Sequence, residues 1–178
     1  MGRRYLERTA KWRSNTPRFT DKMPSNWHYV GAIRAMLPGA KIIIVRRDPL
    51  ETCLSCYRQR LANSEYTRTF ADLGAAWRDF DRTVKYWLAL HPGRVYESVY
   101  EEFVVDPEKK IRELLAFCEL PFEAQCLEFH KTERKVHTPS ATQVREPLRR
   151  DTARTHLYGA LLNPLRAALG MPPFSGSV

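Results

Sequence analysis

From residue 26 to about residue 118 the apolar positions of this chain alternate between two spacings. Trp27, Val30, Ile33, Ala35 and Leu37 keep a helical spacing and predict an amphipathic helix over 26–37, stopped by Pro38-Gly39. The next run, Lys41-Ile42-Ile43-Ile44-Val45, is continuous and β-branched, the pattern of a strand buried on both faces of a parallel sheet. Asp48-Pro49 then offers a side-chain cap and a proline suited to the first helical position, predicting a helix that runs to about Arg60. Leu73, Trp77, Phe80, Val84 and Trp87 recur at three and four residues and mark a long helix ending near His91-Pro92-Gly93. Arg94 to Tyr100 reads as a second strand, and Asp106-Pro107 repeats the cap-plus-proline device before Ile111, Leu114, Leu115 and Cys118.

The flanks carry weaker patterns. A helical beginning over Tyr5–Trp12 gives way to the loop signature Ser14-Asn15-Thr16-Pro17. Phe19-Thr20-Asp21-Lys22 predicts a short strand closed by Pro24, which places Lys22 at a strand end. Beyond Phe122 the strand signals stop. A short helix near Glu123–His130, a polar loop at Thr138–Pro147 and a helical tail from about Asp151, broken at Pro164, complete the pattern. Helix alternating with strand argues for an α/β domain, with a mostly parallel sheet flanked by helices. The expected organisation is a lead-in over 1–18, one domain over 19–170 and a mobile tail over 171–178.

Composition supports a single core: 178 residues, 43% hydrophobic and 11% aromatic, exclude wholesale disorder. A formal charge of +9 favours anionic partners, although acids are interspersed among the bases and much of the charge belongs to solvated helix faces. Helix-turn-helix, zinc-finger and aromatic RNA-binding motifs are missing, so no nucleic-acid partner is expected. Four cysteines suit reduced thiols in a chain this long. Cys53-Leu54-Ser55-Cys56 lies in a predicted helix without a second CxxC or a histidine pair, so no metal is expected. No apolar run approaches the roughly 20 residues that span a bilayer, and Met1-Gly2-Arg3-Arg4-Tyr5 lacks an apolar h-region. The expectation is a soluble, unexported, cytoplasmic chain with no membrane partner.

In open α/β sheets, ligands bind beyond the carboxyl ends of strands, where helix N-termini favour anions. Lys22 and Arg47 both fall at such ends, and Arg47 is followed at once by a helix start. Ser55 lies about two helical turns further on, so the two reach one phosphate only if the loop folds Arg47 back over the helix. The other reading is that Arg47 pairs with Asp48 or Glu51 and Ser55 merely packs. Spacing leaves both open.

The order of Phe19-Thr20-Asp21-Lys22-Met23-Pro24, Leu37-Pro38-Gly39-Ala40-Lys41 and Arg47-Asp48-Pro49 through Ser55 resembles the bacterial tetratricopeptide-linked sulfotransferases. More distantly it is similar to the tyrosylprotein and cytosolic sulfotransferases. The resemblance continues through Val99-Tyr100-Glu101-Glu102, Leu114 to Cys118, and Ser140 to Pro147, covering roughly residues 19–170. It implies a P-loop-like sulfotransferase fold and a nucleotide sulfate donor, 3′-phosphoadenosine 5′-phosphosulfate (PAPS), with a hydroxyl or phenol acceptor and no metal. By the same resemblance Arg47 and Ser55 grip the 3′-phosphate, and Lys22 stabilises charge on the leaving group. Tyr100 lies against the nucleotide, Ser140 sits near the transferring group, and Gln143, Val144 and Arg145 belong to a loop that closes over the donor.

The chain also departs from that family. The family's opening strand, Gly-rich loop and helix, which cradle the 5′-phosphosulfate, have no counterpart among the eight isolated glycines. The region that holds the general base in some members is missing too. Glu146 stands where tyrosylprotein relatives have a lysine, and His156 where bacterial relatives have a tryptophan. The expectation is therefore an N-terminally truncated domain, inactive alone, with a sheet edge or apolar face left exposed for an N-terminal half or partner chain. Two readings follow: a sulfotransferase or fragment of one, or a degenerate, non-catalytic domain that binds a 3′-phosphorylated nucleotide or a complementary chain.

Overall fold

A computed structural model describes residues 1–13, 16, 18–59, 64–131, 145–149 and 152–176. Helix α1 (Gly2–Thr9) opens the chain and ends in a 3-10 turn, Ala10–Trp12. A second 3-10 turn, Pro24–Tyr29, leads into α2 (Val30–Met36). Strand β1 (Ile42–Arg46), α3 (Pro49–Gln59), α4 (Phe70–Leu90) and β2 (Val95–Val99) follow, then α5 (Tyr100–Val105) and α6 (Pro107–Phe117). The C-terminal part is a series of 3-10 turns, Ala124–Lys131, Thr155–Leu157 and Gly159–Leu162, and then α7 (Asn163–Ala168). Among the described residues no helix is long and apolar enough to cross a membrane, and all four cysteines are free thiols.

β1 and β2 pair in parallel, Ile42 opposite Val95 through Arg46 opposite Val99, with α3 and α4 forming the crossover. Both cap-plus-proline devices are present. Asp48 Oδ1 accepts from the Glu51 amide at 2.8 Å at the start of α3, and Asp106 Oδ1 accepts from the Lys109 amide at 3.2 Å at the start of α6. α4 joins two cores, because its apolar stripe runs the whole helix. Leu73 packs with Leu50, Cys53 and Leu54 of α3 and with Leu162, Leu165 and Leu169 of the C-terminal part. About three turns later, Val84 packs with Val30, Ile44 and Val95 beneath the sheet. Gly74 permits the first contact, since a Cβ there would lie 2.5 Å from the Ala168 carbonyl oxygen.

The sheet is buried on one face at β1. Ile44 points into the core, whereas Ile43 is 40% and Val45 69% exposed. This corrects the expectation of a doubly buried strand. On that side Tyr96 of β2 is covered by Phe117 of α6, their rings 5.2 Å apart. The described residues place no comparable cover over β1.

Two further expectations are corrected. Phe19–Lys22 forms no strand, because its polar groups are taken up elsewhere. Tyr5 Oη donates to Asp21 Oδ2 at 2.6 Å, and Arg18 donates to the Cys118 carbonyl and lies 3.6 Å from Glu119. Pro164 does not break the tail; it sits in the first turn of α7, where its missing N–H leaves no helical bond unmade.

At the end of β1, Arg46 joins three elements. It donates to Asp81 of α4 at 2.7 Å and to Glu97 of β2, and its guanidinium lies over the rings of Trp77 and Phe80. Burial pushes the Asp81 carboxyl up, but hydrogen bonds and charge from Lys85 and Arg46 outweigh it and hold the group below the ordinary aspartate value. A depressed carboxyl contributes stability above its unfolded value and loses it as pH falls through its folded one. The melting temperature is therefore expected to drop in acid below the ordinary aspartate range, and less steeply in Asp81→Asn, as read by thermal scans across pH. Gly74→Ala is expected to lower stability by about 1–3 kcal/mol in denaturant titrations, since backbone must move to admit the methyl group.

Candidate functional site

The end of β1 and the start of α3 meet in a tight turn at Arg47-Asp48. Asp48 supplies the cap, and its own amide donates to Glu101 Oε1 at 2.9 Å, which ties the turn to α5. Arg47 folds back along α3. Its Nη2 donates to the Thr152 carbonyl and Oγ1, both at 3.3 Å, and lies 3.8 Å from Glu51 Oε2. The guanidinium also stands over the Tyr100 ring, 5.2 Å from its centroid. Tyr100, the first residue of α5, donates through Oη to the Arg149 carbonyl at 3.2 Å and lies 3.4 Å from Thr152 Oγ1.

These contacts border a cleft of about 320 Å³ lined by Arg47, Ser55, Arg58, Gln59, Thr152 and Arg154, with Glu51 and Leu54 in its wall. Three arginines against one carboxylate give it a net positive lining. Gln59 Nε2 donates to Ser55 Oγ at 3.3 Å across one turn of α3. Glu51 is 8% exposed and accepts from the amides of Arg154 (2.8 Å) and Thr155 (2.8 Å) and from Thr155 Oγ1 (2.6 Å). Burial pushes its carboxyl up, but the Thr155 and Arg154 hydrogen bonds and the Arg47 charge hold it below the ordinary glutamate value.

The fold thus brings Arg47, Ser55 and Tyr100 to one place. The two readings of Arg47 coexist, since it pairs with Glu51 and also faces the cleft. Lys22 is exposed in a segment without regular structure and does not line the cleft. Its neighbour Asp21 accepts from Tyr5. Arg145 is exposed and lies outside the lining, while Ser140 and Gln143 fall outside the described residues. Sequence reasoning did not single out Arg58, Thr152 or Arg154. Arg58 carried a signal, being one turn beyond Ser55 on the same helix; Thr152 and Arg154 reach the cleft only through the tertiary fold.

The sequence profile of the sulfotransferase family matches residues 1–124. The chain belongs to the sulfotransferase family. An uncharacterized protein of Aquifex aeolicus (strain VF5) is 42% identical over 166 residues, which is 90% of this chain and 22% of that protein. A candidate protein-tyrosine sulfotransferase of Caenorhabditis elegans is 26% identical over 122 residues, 68% of this chain and 47% of its own length. A solved sulfotransferase domain from the curacin biosynthetic pathway superposes with a TM-score of 0.62 at 22% identity, over 79% of this chain and 51% of that domain. This sulfotransferase-family chain therefore spans less than half the length of those curated relatives and about half of the solved domain. The superposition establishes the shared fold: helices around a parallel sheet.

Proposed function

We propose that the cleft along α3 holds the 3′-phosphate of PAPS, and that the protein to which this chain belongs transfers a sulfuryl group to a hydroxyl or phenol acceptor. The observation that carries the reading is the convergence of Arg47, just before α3, and Ser55, within it, on one cleft beyond a parallel strand. Only Nη2 of Arg47 is engaged among the described residues. Nη1 and Nε thus remain for a bidentate grip on phosphate, and the Ser55 hydroxyl adds a donor. The Tyr100 ring, held by its hydroxyl, offers an apolar wall beside the same guanidinium.

The donor supplies an activated sulfur whose bond to the bridging oxygen breaks as the acceptor oxygen bonds to it; the electron pair leaves with adenosine 3′,5′-bisphosphate. The protein's part is positioning and charge stabilisation. Lys22 is the residue proposed for the bridging oxygen, with Ser140 near the transferring group and Gln143 and Arg145 in a closing loop. The family resemblance supports these roles. Lys22 lies outside the cleft lining, which favours a second reading: a non-catalytic module that holds a 3′-phosphorylated nucleotide, alone or with a complementary chain.

Isothermal titration with adenosine 3′,5′-bisphosphate, with 5′-adenosine monophosphate as control, tests the shared claim. The bisphosphate is expected to bind more tightly, with Arg47→Ala losing about 10–100-fold and Ser55→Ala a few-fold, as for hydrogen bonds to a charged group. Equal affinity for the two nucleotides would sink the 3′-phosphate reading. Turnover of labelled PAPS with a phenol acceptor then separates enzyme from binding module.

A further inference from the structure

We propose that Glu51 is a positioning residue: its carboxylate latches the segment 152–155 onto α3, and so sets the cleft's preference for a 3′-phosphorylated nucleotide. What the cleft binds rests on the reading above; the latch does not.

A carboxylate withdrawn from water must have partners, and Glu51 finds them far along the chain. Both of its oxygens accept from the Arg154 amide, at 2.8 and 3.0 Å, and Oε1 also takes the Thr155 amide and hydroxyl. The amides of Arg154 and Thr155 gain a charged acceptor in place of water, which makes these strong bonds. Thr152, two residues before that anchor, then receives Arg47 Nη2 on both its carbonyl and its hydroxyl, and the same hydroxyl meets Tyr100 Oη. The latch therefore fixes the wall against which the proposed phosphate-gripping guanidinium rests. Its bonds are shorter than the 3.3–3.4 Å contacts that Arg47 and Tyr100 make with Thr152 itself.

Glu51 also opposes the cleft's positive charge, and this works the other way. The ion pair with Arg47 is long, 3.8 Å, beyond hydrogen-bond reach, so its loss should change affinity little. Glu51→Gln removes the charge that strengthens the bonds from two amides and a hydroxyl, and its NH2 takes the place of one oxygen that accepts from the Arg154 amide, a larger effect. If Glu51 acted only as a charge, Glu51→Gln would tighten anion binding and Thr155→Val would do nothing. As a latch, both substitutions act in the same direction, because Thr155→Val removes one donor while leaving the charge beside Arg47 untouched.

The test uses the full chain and two measurements. Titration with adenosine 3′,5′-bisphosphate and 5′-adenosine monophosphate gives the affinity ratio between them. Hydrogen exchange gives the protection of the Arg154 and Thr155 amides, and thermal melts confirm that each variant is folded. The ratio is expected to fall about tenfold in Glu51→Gln and about threefold in Thr155→Val, with exchange of the two amides at least about tenfold faster in Glu51→Gln, the scale of coupling between residues in one network. A ratio that is unchanged or larger in both variants, or amide protection that survives Glu51→Gln, overturns the proposal. If the wild-type chain does not tell the two nucleotides apart, the nucleotide reading and the specificity role both fall, and faster exchange in Glu51→Gln would still establish the latch. Should Glu51→Gln fail to fold, Thr155→Val decides alone.

Discussion

A buried carboxylate without partners is untenable, and among the described residues the hydrogen bonds to Glu51 come from backbone and side-chain donors about a hundred positions away. That requirement joins the C-terminal turns to α3. It also defines the cleft, because the segment it captures carries Thr152 to Arg47. The apolar contacts between α3, α4 and α7 bring these elements near one another, but they are non-directional. The directed bonds to Glu51 settle which face of the 152–155 segment meets the helix.

α4 has the corresponding role for the body of the fold. Its stripe reaches from the α3 and α7 core at Leu73 to the core beneath the sheet at Val84, so the cleft and the sheet share one rigid element. Arg46 closes the arrangement from the strand side by tying β1 to α4 and β2 at the position just before Arg47. The site residue thus follows directly on a residue held from three directions. By contrast, Ile43 and Val45 present apolar side chains to water on the other face of β1.

Much of this was legible along the chain. The long helix, the two strands and both Asp-Pro helix starts rest on local rules of spacing, capping and branched side chains, and all appear within a few residues of their expected places. Arg47 and Ser55 were paired by the family resemblance, while their spacing alone left open whether Arg47 faces a ligand or pairs with Glu51. The short strand at Phe19–Lys22 was misread because a strand exists only by pairing, and among the described residues this segment pairs with no strand while Asp21 accepts from Tyr5. Pro164 was misread because the same ring that interrupts a helix suits its first turn.

The sequence by itself determined the alternation of helix and strand, the position of the turn that carries Arg47 and the family, since each depends on side-chain spacing within a few residues or on motifs in order. Only the tertiary structure decided which face of β1 is buried, that Tyr100 and Thr152 stand beside Arg47, and that Glu51 takes its donors from Arg154 and Thr155. Those contacts join residues from about 50 to 100 positions apart, and no local periodicity encodes them; they follow from how the packed helices turn their polar edges toward one another.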